Sequence, residues 1–209
     1  MKIMQKVFDG RGDVSAALRD LRSRNLVKSL GRAEGYGSIL GGHTAYQLTP
    51  QGAAHAGFSP KRAKKLNENS LELSFRVLWL CCMSSDRYSR LEENHLITLF
   101  DHPLKAKDCP YCIEIAGKRR VYRIRLLGAH SDDGYALRET RKDLLECAEI
   151  PALGEYVEHA RYGNLLVVSK PERKKRLEER VQALKLKRLG HVRIAVTPDL
   201  NEIGVALRD

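Results

Sequence analysis

The sequence predicts an α+β chain in two parts, a small basic N-terminal domain and a larger α/β sandwich with a mixed sheet. Three observations carry this. A helical apolar period runs straight into a glycine-rich hairpin pattern within residues 14–57. A polar, basic stretch opened by Ser-Pro, residues 59–69, then interrupts the pattern as a linker does. The chain closes on strand, helix, strand, which implies a right-handed parallel crossover. The predicted parts are 1–58, a linker at 59–69, and 70–209.

In the first part Val14, Ala17, Leu18, Leu21 and Leu26 recur at helical spacing and share one face. Asp13 precedes them as N-cap. Arg11, Arg19, Arg22 and Arg24 fall off that stripe. A solvated basic face is common on any helix, and the hairpin that follows is what sharpens the signal. Asn25 can close the helix in a left-handed conformation. Residues 26–30 alternate like a half-buried strand, and Gly31, Gly35, Gly37, Gly41 and Gly42 supply a permissive tip. Residues 43–48 return, with Thr44, Tyr46 and Leu48 on one face, and Thr49-Pro50 opens a short helix.

In the second part residues 71–82 read as a largely buried helix carrying Trp79, with Cys81 and Cys82 in its core face. Residues 87–100 read as another helix, and 112–116 and 120–127 as two strands. Val121, Arg123 and Arg125 alternate with Tyr122, Ile124 and Leu126, so one strand face is charged. Residues 137–147 read as helix, 165–169 as a short buried strand, 171–189 as a long helix, and 191–196 as the final strand. Leu177, Val181, Leu184 and Leu189 form the buried stripe of that long helix.

The net charge of +11 is unevenly spread. Residues 1–65 hold 12 Lys/Arg against 4 Asp/Glu, residues 66–159 hold 13 against 16, and residues 160–209 hold 12 against 6. Two basic ends suit a polyanion, because cations on a protein release the counterions of phosphates. No secretory signal or long apolar span is present, and the apolar run at 75–83 is too short to cross a bilayer. The odd number of cysteines, five, points to reduced thiols and a cytoplasmic location.

Leu18, Leu21 and Leu26-Val27, followed by Tyr46-Gln47-Leu48-Thr49-Pro50-Gln51-Gly52, make the first part resemble the winged helix-turn-helix family. The resemblance covers about a quarter of the chain. It implies a recognition helix, a wing, and double-stranded DNA as partner. The helix at 14–24 would enter the major groove, with Arg19 and Arg22 gripping guanine bidentately. Lys28, Arg32 and His43 would rest on backbone or minor groove, with Arg11, Arg24, Lys61 and Arg62 as further contacts. Arg173, Lys174 and Arg180 offer a second basic surface, unless Glu172, Glu178 and Glu179 lace that helix into an ordinary solvated face. One departure stands out. The family has two helices ahead of the recognition helix, and only residues 1–10 are available here. Either the domain is trimmed, or the true start lies upstream, or a dimer partner or the second domain supplies the missing helix.

The element order of the second part resembles the restriction-endonuclease-like core of the PD-(D/E)xK nucleases. A winged helix ahead of such a core is similar to replication-relaxation and mobilisation proteins of plasmids and integrative elements. The nuclease motif is not met. Tyr111 follows Pro110 where the family has Asp, and Arg123 and Arg125 stand where acids should hold magnesium. The nearest substitutes are Glu93, Asp108 and Glu114, with Asp101 as a neighbour. Cys109-Pro110-Tyr111-Cys112 has the letters of a redox site but lacks the helix that would lower the thiol pKa. It also lacks a second pair for zinc. Tyr88, Tyr122, Tyr135 and Tyr162 have no histidine triplet beside them, as rolling-circle tyrosine chemistry requires.

The expectation is a non-catalytic double-stranded DNA-binding accessory protein of plasmid or integrative-element mobilisation or replication. It needs no cofactor and no metal. A homodimer and protein partners in a DNA-processing complex are compatible; a membrane is not. The alternatives are a metal-dependent nuclease or relaxase, and a transcription regulator whose second domain senses or dimerises.

Overall fold

The computed structural model describes residues 13–30, 45–64, 68–83, 88–105, 110–115 and 119–198. It is mixed α and β, and divides into two compact units. The first reaches Arg76 and the second runs from Val77 to Thr197.

The first unit opens with α1 (Val14–Ser23). Asp13 caps it, its carboxylate accepting from the Ser15 and Ala16 amides at 2.9 and 3.0 Å. Val14 and Leu18 are buried and Leu21 half-buried, but Ala17 is exposed, so the apolar stripe is narrower than its spacing predicts. Asn25 is left-handed at φ 52° and turns the chain into β1 (Val27–Leu30). That strand pairs antiparallel with β2 (Ala45–Leu48), Val27 opposite Leu48 and Leu30 opposite Ala45.

Thr49 then caps α2 (Pro50–His55), accepting from the Gly52 amide at 2.9 Å. It also bonds backward: its hydroxyl donates to the Asn25 carbonyl at 2.5 Å and its amide to the Leu26 carbonyl at 3.0 Å. Gly52 lies so close that a Cβ there would sit 1.8 Å from the Leu26 carbonyl oxygen. The Thr-Pro-x-Gly string is therefore a lock that seats α2 on the turn after α1. The residues expected as linker begin as ordered structure. Pro60–Ala63 form a 3-10 turn against α2 and β2, and the Gln47 side chain donates to the Lys64 carbonyl at 2.7 Å.

α3 (Glu68–Cys82) is amphipathic rather than largely buried. Leu71, Val77 and Leu80 are buried, Trp79, Cys81 and Cys82 half-buried, and Leu78 exposed.

The second unit is built on a five-stranded mixed sheet of β3 (Tyr88–Leu91), β4 (Tyr111–Glu114), β5 (Val121–Leu126), β6 (Tyr162–Val168) and β7 (His191–Val196), adjacent in that order. The first three pair antiparallel and the last three parallel, the β6–β7 step being the one that the closing strand–helix–strand pattern implies.

Three expectations need correction. Residues 87–100 are not one helix: β3 precedes α4 (Glu93–Phe100), because Tyr88 to Leu91 complete the ladder opposite β4. Between α5 (Asp133–Ala148) and β6 lies an unexpected helix, α6 (Pro151–Glu158), started by a proline at its first turn. The long helix, α7 (Pro171–Ala183), stops early. Lys185 turns left-handed at φ 52°, and Leu186–Arg188 form a 3-10 turn. Leu184 is consequently 56% exposed, and Leu186 is buried instead.

One face of the sheet carries the core. Tyr111, Val121, Tyr162, Leu166 and Val192 pack with apolar residues of α4, α5, α6 and α7. Arg123 shares that face. It is 7% exposed and ion-paired with Asp143 of α5. Asp143 also accepts from Asn164 at 2.8 Å and from the Tyr162 hydroxyl at 3.1 Å, and Arg125 donates to Asn164 at 2.9 Å. The charged strand face is turned inward onto a carboxylate, a cross-brace between sheet and helix.

Candidate nucleic-acid interface

In the first unit Arg19, Arg22 and Arg24 are all exposed. At roughly 100° per residue, Arg22, Ser15, Arg19 and Ser23 fall on one arc of α1, beside the buried Val14–Leu18 face. The serines are small, so two guanidiniums stand clear on a surface that a flat or grooved partner can approach closely. Arg24 is turned away, bonded to Asp20 at 3.4 Å. Lys28 is half-buried and shares its strand face with the buried Leu30, so only its amine end can reach out. Lys61 is exposed on the 3-10 turn. Arg11, Arg32, His43 and the side chain of Arg62 lie outside the described residues.

The second unit treats its expected cations differently. Arg173, a predicted DNA contact, has a side chain only 10% exposed. Its guanidinium donates to Asp133 at 2.7 and 2.8 Å and to the Gly128 and Ser131 carbonyls at 2.5 and 2.6 Å. It ties α7 to the loop before α5 and is not available to a phosphate. Arg180 is exposed and Lys174 half-buried, 3.8 Å from Glu178. Arg180 lines a cleft of about 400 Å³ at the carboxyl ends of β5 and β6, where Asp132, Asp133 and Glu172 offset the basic side chains.

Of the substitute nuclease acids, Glu93 starts α4, and Asp108 lies outside the described residues. Glu114 is occupied, accepting from Arg120 at 3.2 Å and from Arg193 at 3.0 Å. Among the described residues no group of three or more His, Cys, Asp or Glu could hold a metal ion. Cys112 is buried on β4, where burial pushes its thiol well up, the opposite of a reactive cysteine; Cys109 lies outside the described residues. Burial likewise raises the phenols of Tyr122 and Tyr162, while Tyr135 is exposed.

Arg120, His191 and Arg193, which sequence reasoning passed over, border a second cleft. The β7 alternation of basic and apolar residues could have flagged two of them, but the carboxylate that organises both arginines comes from a different strand. Among the described residues no helix is long and apolar enough to cross a membrane. No family model matches the chain, and neither a curated protein nor a solved structure matches it.

Proposed function

We propose that this protein binds double-stranded DNA through its first unit, without catalysing a reaction on it, as an accessory of plasmid or integrative-element processing. In this reading the first unit is a winged helix, with α1 in the major groove and the β1–β2 hairpin as the wing. The observation that carries it is the solvent-facing arc of α1. Arg19 and Arg22 stand there without a carboxylate bond among the described residues, flanked by serines and backed by a hairpin locked to the same helix. The non-catalytic part is supported by Glu114, whose two oxygens are held by guanidiniums, and by arginines where the sheet would need metal-binding acids.

Fluorescence anisotropy on duplexes selected from a random pool tests the binding. Arg22→Ala is expected to cost roughly 1–3 kcal/mol on the selected site and to relax discrimination there. A loss equal on all sequences would remove α1 as the reader. Incubation with magnesium or manganese is expected to leave supercoiled DNA intact. Nicking abolished by Glu114→Ala would replace the reading with a carboxylate nuclease.

A further inference from the structure

We propose that the cleft between α7 and β7 is a phosphate-binding groove, through which the second unit holds a DNA backbone. The inference rests on the DNA-binding reading above for the identity of its polymer, but its geometry is independent of it. The cleft measures about 540 Å³ and is bordered by Arg120, Lys174, Lys187 and Arg193, with Glu178 the one acid among its lining residues. With Glu114, which both arginines share, that is a net of two positive charges, from four cations and two carboxylates. The cleft at the strand ends, by contrast, has three acids against its four basic residues.

The two arginines are fixed before any ligand arrives. Arg120 reaches Glu114 through one terminal nitrogen and donates to the Ala160 carbonyl at 3.1 Å. Arg193 takes the other Glu114 oxygen and lies over the Tyr88 ring at 5.8 Å. The shared carboxylate holds both guanidiniums, with the Ala160 carbonyl fixing the first and the Tyr88 ring lying beside the second, so little side-chain entropy is lost on binding. Lys187 is exposed and Lys174 is half-buried, 3.8 Å from Glu178 at the surface, so both amines can turn toward a phosphate. His191 borders the same cleft. Its imidazole is held down at about 4, chiefly by burial and then by the nearby cations Arg120, Arg193 and Lys187, against the opposing pull of Glu114. β7 is also the sheet edge among the described strands. Phosphodiester chemistry fits this shape and charge, with no base contact required.

The test pairs Lys174→Gln/Lys187→Gln with two probes on the full chain. On duplex DNA the double variant is expected to lower the salt-dependence slope by about 2 and to weaken all sequences equally. With inorganic pyrophosphate, the His191 ring resonances are expected to shift in the parent protein and to stay put in the variant. An unchanged slope and unmoved resonances overturn the groove while leaving α1 as reader. Absence of duplex binding, with a pyrophosphate response that the variant loses, upholds a phosphate site and ends the DNA reading instead. A response to poly-glutamate stronger than to pyrophosphate overturns the phosphate assignment in favour of an acidic peptide.

Discussion

The two units handle arginine in opposite ways. In the first, Arg19 and Arg22 stand on a solvent-facing arc and contribute charge to the surface. In the second, Arg123 is buried against Asp143, and Arg173 is enclosed by Asp133 and two carbonyls, while Arg120 and Arg193 divide one carboxylate, Glu114, between two charges. The difference shows that formal charge is not available charge. A guanidinium matched by a buried carboxylate of its own braces the fold, and only charge left over at the surface can release counterions from a polyanion. The basic C-terminal third of the sequence therefore overstates the electrostatic footprint of its unit.

That contrast can be broken first where it is most costly. Asp143→Ala leaves Arg123 and Asn164 buried without their shared acceptor, and is expected to destabilise the second unit by about 3–5 kcal/mol. Urea denaturation followed by far-UV circular dichroism measures it, and a loss below about 1 kcal/mol would mean that the brace is not structural. In the first unit the matching structural lesion is backbone rather than charge. Gly52→Ala places a methyl into the Leu26 carbonyl and is expected to cost about 1–3 kcal/mol. Its signature is loss of amide-exchange protection around Leu26, with DNA affinity falling alongside.

Arg22→Ala sharpens the comparison from the other side. Its thermal midpoint should be nearly unchanged, within about 0.5 kcal/mol of stability, while sequence-specific affinity drops. A variant that melts early instead would make Arg22 a brace like Arg123. The mildest effect concerns pH. His191 is neutral in the folded chain down to about 4, whereas an unfolded histidine protonates near its ordinary 6.5. The unfolded state thus binds the extra proton between those values, so this contribution to stability is present above about 6.5 and lost as pH falls toward 4. His191→Gln is expected to flatten the stability profile across that window; an identical profile would show that the ring titrates normally.

Much of the local structure was legible in the residues. Asp13 and Thr49 were readable as caps, Asn25 as the left-handed closure of α1, and residues 191–196 as the final strand, because each depends on neighbours a few positions away. The parallel pairing of β6 and β7 was likewise implied by element order. Other features needed partners distant in sequence. β3 is a strand because β4 pairs with it, and the same four residues read as helix without that ladder. Alternation placed Arg123 and Arg125 on one strand face. It did not say that Asp143, twenty positions on, would come to meet Arg123. The sequence by itself determined caps, turns, periodicity and total charge, which are short-range or additive. Only the tertiary structure decided which charges remain at the surface, because neutralising a guanidinium depends on which distant carboxylate the folded sheet and helices bring within bonding distance.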